Sequence, residues 1–225
     1  MEKTKTPSKK ASSGKGLNDV RRAYQQYYLE NGRKPTSIVA LCQYAGIKES
    51  DFYNNFTSLD SIDSSIWQGF VQGTLDQLRS DSSFSKFSSR EKVLTFYFAL
   101  AEQLKSDRSY ILLSLDDNKR SGLLPPFMKG FMNSFQEFIS QTLEEGIAEG
   151  KIARRPFLDK VYPQLFKLHI YSFLLYWKHD DSISFEKTDV YIEKSVNLAF
   201  DLIGKGVMDA VIDFGKFLYK DKVKV

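Results

Sequence analysis

From Leu17 onward, apolar residues recur at the spacing of one face of an α-helix nearly everywhere along the chain. Leu17, Val20, Tyr24 and Tyr27 mark a first helix that stops at Asn31-Gly32. Pro35-Thr36 opens a short second helix with Thr36 as its N-cap, and Ala45-Gly46 closes it. A third short helix runs from about Glu49 to Phe56. The fourth begins near Thr57-Ser58, where Thr57 and Asp60 have capping-box spacing, and continues towards Arg79. After a Ser- and Phe-containing linker from Ser80 to Phe87, Ser88 and Glu91 repeat that spacing ahead of Val93, Leu94, Tyr97, Leu100, Ala101 and Leu104. Further helices are expected over 110–116, 126–149, 156–179 and 184–218, with Gly204, Gly206 and Gly215 as candidate interruptions of the last. No segment alternates with period two over β-branched residues, so the predicted fold is all-α.

Two of these helices carry more apolar surface than one neighbour can cover. Tyr171 to Trp177 is almost unbroken, and Phe185, Ile192, Val196, Ala199, Ile203, Val207, Ala210, Phe214 and Leu218 form a broad stripe. Intrachain burial accounts for one of them. Both are accounted for if they pair across a twofold axis, giving a homodimer through about 156–179 and 184–218.

Composition narrows the function classes. Of 225 residues, 42% are hydrophobic and 14% aromatic, enough for a substantial core and consistent with an aromatic-lined cavity. The single cysteine, Cys42, rules out an intrachain disulfide and a Cys-based zinc site, and it reads as a small buried hydrophobe in a reducing cytoplasm. Residues 1–16 hold five lysines against one glutamate, a net +4, which equals the net charge of the whole chain. The basic excess is thus a low-complexity tail, expected to be disordered, and its charged start does not read as a secretory signal. No stretch is long and apolar enough for a membrane span, so no membrane partner is expected. Gly14-Lys15-Gly16 lacks the strand and the Lys-Ser/Thr ending of a phosphate-binding loop. Asp116-Asp117-Asn118 lacks the further spaced oxygens of a calcium loop, and two histidines without matching carboxylates do not make a metal site. No nucleophile with a placed base stands out. Neither enzyme activity, nor a metal, nor a cofactor is expected.

The pair Thr36–Ala45 and Glu49–Phe56, joined by Gly46-Ile47-Lys48, has the form of a helix-turn-helix whose second helix can enter the major groove. Ile38, Leu41, Ala45, Ile47, Phe52 and Phe56 would pack the two helices together. The run Thr36-Ser37-Ile38-Val39-Ala40-Leu41, then Ala45-Gly46-Ile47, Phe52-Tyr53, Phe56 and Ile62, resembles the N-terminal signature of the TetR family in order and spacing. Leu143 to Gly150 also resembles a helix ending common in that family. The resemblance implies a homodimer with a helical small-molecule-binding body and two heads on a palindromic operator. Domains are then expected at 17–65 for the DNA-binding head and 66–225 for ligand binding and dimerisation. Four positions depart from the family pattern. Lys48 replaces the usual capping Ser, Ser50 the usual Gly, Asp51 a small hydroxyl residue, and Leu59 a frequent Lys.

Residues 17–63 carry five basic and six acidic side chains, a net −1, which is a thin electrostatic footprint for a DNA reader. Two readings stay open. In one, the Lys-rich tail supplies the phosphate contacts, and Arg33, Thr36, Lys48, Ser50, Tyr53, Asn54 and Asn55 meet double-stranded DNA. In the other, the module has lost DNA binding, and the protein carries a small molecule or lipid, or serves only as a dimerisation scaffold. For the body, Tyr97, Tyr110, Phe131, Phe135, His169, Phe173, Tyr176 and Trp177 are candidate ligand contacts among helices from about 93 to 179. The favoured expectation is a cytoplasmic repressor released by a small, largely apolar effector.

Overall fold

The computed structural model describes residues 16–117, 125–155 and 158–204. Their regular structure is helical: α1 (Leu17–Asn31), α2 (Ile38–Ala45), α3 (Glu49–Tyr53), α4 (Leu59–Ser80), α5 (Ser89–Ser106), α6 (Arg108–Asp117), α7 (Lys129–Ala148), α8 (Tyr162–His179) and α9 (Glu186–Ile203). The chain groups into two compact units that divide between Asp63 and Ser64, within α4. The expected basic tail lies outside the described residues, as does the expected continuation of the last helix beyond Gly204.

In the first unit, Val20, Tyr24 and Tyr28 of α1 pack with Leu41, Cys42, Phe52, Phe56 and Ile62. Tyr28, not Tyr27, completes the buried face of α1; Tyr27 turns its ring onto Tyr44 at 5.1 Å. Three expected helix ends are corrected. The N-cap of α2 is Ser37, whose Oγ accepts from the Ala40 N–H at 3.1 Å, so Thr36 lies one residue outside. α3 stops at Tyr53 because the Asn55 and Phe56 N–H groups both turn to the Phe52 carbonyl, at 2.9 Å each. At α4, Ser58 and Ser61 cap each other in place of Thr57 and Asp60. Ser58 Oγ accepts from the Ser61 N–H, and Ser61 Oγ accepts from the Thr57 and Ser58 N–H groups.

The second unit buries an aromatic core. Trp67 of α4 meets Phe127 and Phe131, and Phe96 of α5 lies between Phe135 and Phe138 of α7. Polar hooks fix α4 within this core: Trp67 Nε1 donates to Ser114 Oγ at 3.1 Å, and Gln72 Nε2 to Ser134 Oγ at 3.1 Å. The capping box at Ser88 and Glu91 forms as expected. At Gly146 a Cβ would lie 2.6 Å from Ser89 Oγ and from Ile152 Cδ1, so the close approach of α5 and α7 requires glycine there.

α8 starts at Tyr162, later than the expected 156, because residues 158–161 turn back on Arg155 and Leu158 instead. Pro163 then sits in the first turn, where its missing N–H costs nothing. Buried Arg155 donates to the Ile203 and Gly204 carbonyls at 2.8 Å each, tying down the C-terminus of α9.

Between α8 and α9, the buried Asp180 carboxylate accepts from the Ser182 and Thr188 N–H groups and from both hydroxyls. Burial alone would raise this carboxyl, but the four hydrogen bonds outweigh it and hold the group at about 2. A depressed carboxyl stabilises the fold above its unfolded pKa, and that contribution is lost as pH falls from about 4 towards 2. Asp180→Ala is therefore expected to cost about 2 kcal/mol in urea unfolding at pH 7, since it orphans buried donors. The gap to the wild type should shrink at pH 3.

Candidate functional sites

The head presents one short helix to solvent. Gly46, at φ 60°, makes the turn after α2, and its N–H and that of Ile47 close onto the Cys42 carbonyl. Lys48 is the N-cap of α3, and Asp51 Oδ2 accepts from the Lys48 N–H at 3.4 Å. Lys48 offers no side-chain acceptor to the first N–H groups of α3, and the Asp51 carboxylate supplies the reverse half of a capping box, from the Lys48 N–H. Phe52 and Phe56 anchor α3 in the core, while Ser50, Tyr53 and Asn54, at i, i+3 and i+4, share its exposed face. Tyr53 is 55% exposed, its ring edge-on to Phe52. Asn55 is half-buried, and its Nδ2 donates to the Asp51 carbonyl at 3.0 Å. Arg33, Thr36 and Lys48 are exposed.

The frame behind this face is braced by an ion pair between Lys34 and the fully buried Asp63. Burial and neighbouring Asp63 hold the Tyr24 phenol well above its ordinary pKa. Tyr44 donates to Glu30 at 2.6 Å, which pushes its own pKa up to about 12. Cys42 is buried, and burial raises its thiol pKa further.

In the body, the structure brings together four of the candidate ligand contacts. Tyr97 is fully buried, with ring centroids 5.9 Å from Phe135, 5.2 Å from Phe173 and 5.1 Å from His169. Its hydroxyl lies 2.6 Å from His169 Nδ1. The other four candidates lie elsewhere. Phe131 packs on Trp67, Tyr110 is buried on α6, and half-exposed Tyr176 stacks on Tyr191 at 4.4 Å. Trp177 is buried beneath Arg108, whose guanidinium sits 4.5 Å from its ring and bonds the Trp177, Lys178 and Asp180 carbonyls.

A cavity of about 260 Å³ opens between α8 and α9, lined by Tyr162, Leu165, Phe166, His169, Ala199, Leu202 and Ile203. Of the eight candidates, His169 alone reaches it. Sequence reasoning missed the others, although Leu165 and Leu202 carried a usable signal. They are apolar at positions the buried stripes do not need, and they are 52% and 42% exposed.

Among the described residues, no group of three His, Cys, Asp or Glu is placed to hold a metal ion, and no helix is long and apolar enough to cross a membrane.

Comparison with curated proteins finds no sequence match. Among solved structures, a TetR-family transcriptional regulator from Syntrophomonas wolfei is similar at TM-score 0.66 and 17% identity, covering 85% of this chain and 96% of its own. The dihydroxyacetone kinase operon activator DhaS is similar at TM-score 0.57 and 12% identity, covering 84% and 98%. The fatty acid degradation regulator FadR from Bacillus halodurans is similar at 0.55 and 16%, covering 82% and 98%. At such identities these likenesses show the shared fold. The family described as tetracyclin repressor-like, C-terminal domain, matches residues 92–218, more than half of the chain. With the helix-turn-helix in front of that domain, the chain belongs to the TetR family of transcriptional regulators.

Proposed function

We propose that this protein is a cytoplasmic repressor that binds a palindromic operator as a homodimer and is released by a small, largely apolar ligand. The observation that carries the DNA-binding part is the outward face of α3. Ser50, Tyr53 and Asn54 project from a helix anchored by buried Phe52 and Phe56, behind an exposed Lys48. Asn is suited to adenine edges, and the hydroxyls and Lys48 to phosphates and bases. Arg33, Thr36 and Asn55 flank this face, and the five lysines of residues 1–16 add the phosphate neutralisation that the head, at net −1, lacks. Asp51 is engaged at the helix start, which lessens its repulsion of phosphate.

The dimer reading rests on where the body exposes apolar residues. Of its ten exposed large apolar side chains among the described residues, nine lie between Val161 and Leu202, and Phe98 is the exception. A patch confined to one helix pair marks an interaction face. Leu165, Leu168 and Leu175 of α8 and Val190, Leu198 and Leu202 of α9 lie opposite the buried sides of their helices. For the ligand, the cluster of Tyr97, Phe135, His169 and Phe173 supports the reading, with Tyr110, Phe131, Tyr176 and Trp177 as more remote candidates.

Selecting genomic DNA fragments with the full chain tests the proposal: recovery of a shared palindromic site supports it, and recovery of unrelated fragments counts against it. DhaS, named as an operon activator, has the same fold, so reporter transcription with and without the protein decides the direction of control. The near-neutral head favours one rival, a ligand carrier without DNA binding. That reading expects a co-purified small molecule and no operator.

A further inference from the structure

We infer that the ion pair between Lys34 and Asp63 is a positioning element for DNA reading. It fixes the loop before α2 to the start of α4, so that Arg33 and Thr36 meet the operator in register with the face of α3. Lys34 lies in the connection 32–37, which Gly32 opens at φ 64° and Ser37 closes as the cap of α2. Of those residues only Lys34 and Pro35 are not exposed. The Lys34 side chain stays 28% exposed while its ammonium pairs with Asp63, whose side chain has no exposure at all. Asp63 stands in the second turn of α4, and the buried Tyr24 phenol of α1 is near enough for the carboxylate to raise its pKa. Three segments of the head therefore converge on one carboxylate.

Stability does not account for the pair. Taking a carboxylate wholly out of water is costly, and attraction to one part-exposed ammonium does little more than return that cost. Apolar side chains of similar size at such positions commonly hold a fold as well or better. What an ion pair adds is a demand for one arrangement. An ammonium must reach a fixed carboxylate, whereas apolar burial is non-directional and tolerates sliding.

That demand matters where the loop serves the reading face. Arg33 and Thr36 bracket Lys34-Pro35 and are exposed, as are Ser50, Tyr53 and Asn54 of α3. Both sets have to fit one stretch of duplex at the same time. Hydrogen bonds to base edges tolerate little error in distance or angle, while contacts with phosphates carry no sequence information. Loosening the loop therefore costs operator preference before it costs general affinity for DNA. The Lys34 charge is already answered by Asp63, so it adds little to phosphate neutralisation and the salt dependence of binding does not need it. This role presupposes the operator reading proposed above.

The test uses the full chain carrying Lys34→Met with Asp63→Leu and, in case that apolar pair fails to fold, Lys34→Gln with Asp63→Asn. Both double variants should melt within about 5 °C of the wild type. Preference for the selected operator over a scrambled duplex should fall about tenfold or more. Affinity for the scrambled duplex, and its slope between about 50 and 200 mM salt, should stay as in the wild type. Lys34→Arg, which keeps the charge pair, should retain the preference. The Ala40 and Leu41 amides, bonded to Ser37 at the start of α2, should exchange with solvent about tenfold faster in the double variants. Unchanged preference or unchanged exchange in the double variants, equal loss of preference in Lys34→Arg, or melting temperatures that fall in step with binding each overturns the inference. So does a shallower salt slope, which would put Lys34 on phosphate. A wild type without operator preference overturns the DNA reading itself, and this role with it.

Discussion

Replacing Tyr53 and Asn54 together by alanine is expected to weaken operator binding at least a hundredfold while dimerisation is unchanged. Both side chains are exposed at α3, and Tyr53 meets the core residue Phe52 edge-on. Their loss should cost the folded protein less than about 1 kcal/mol, as for most exposed substitutions. On DNA each side chain would contribute about 1–3 kcal/mol of base discrimination, and a twofold dimer uses each twice. Band-shift titrations beside thermal melts separate the two effects. Lost binding with a parallel loss of melting temperature would mean that α3 was disrupted rather than its reading face removed.

The second large effect is expected from Leu168→Arg combined with Leu198→Arg. These leucines are 50% and 59% exposed on α8 and α9, so arginine is tolerated in a lone protomer. In a twofold interface each substitution enters twice and places like charges in an apolar contact. Sedimentation should then show monomer at micromolar concentration with helical content retained. Operator affinity should fall by about two orders of magnitude or more, because one head alone reads half a site. A variant that stays dimeric would move the interface away from α8 and α9.

Much of this architecture was legible in the sequence, and the failures have local causes. The all-α fold, the Gly32 and Gly46 helix stops and the Ser88–Glu91 cap follow from hydrophobic period and turn chemistry. Thr36 and Thr57 misled because Ser37 and Ser58 stand beside them, and neighbouring hydroxyls compete for the same cap on sequence grounds alone. The late start of α8 comes from backbone turns onto the Arg155 and Leu158 carbonyls, and the Arg155 side chain beside them holds the Ile203 carbonyl, a contact across 48 residues that no local pattern encodes. The candidate ligand set shows the same limit. Aromatic stripes at helical spacing supplied Phe135 and Phe173, and Tyr97 and His169 entered as polar points beside them; the four do cluster. Whether such a stripe packs solid or borders a cavity depends on the neighbouring helix, and here α9 supplies Ala199, Leu202 and Ile203.

The central claim is that a near-neutral head still reads DNA with help from the lysines that precede it. Affinity for the selected operator and for a scrambled duplex, measured at 50 and 200 mM salt with the full chain, tests this directly. Six or more neutralised phosphates per dimer should lower operator affinity by about a thousandfold between those salts, with the operator preferred at both and the dependence shallower once residues 1–16 are removed. A folded dimer that binds both duplexes equally, or binds neither with any salt dependence, would contradict the account.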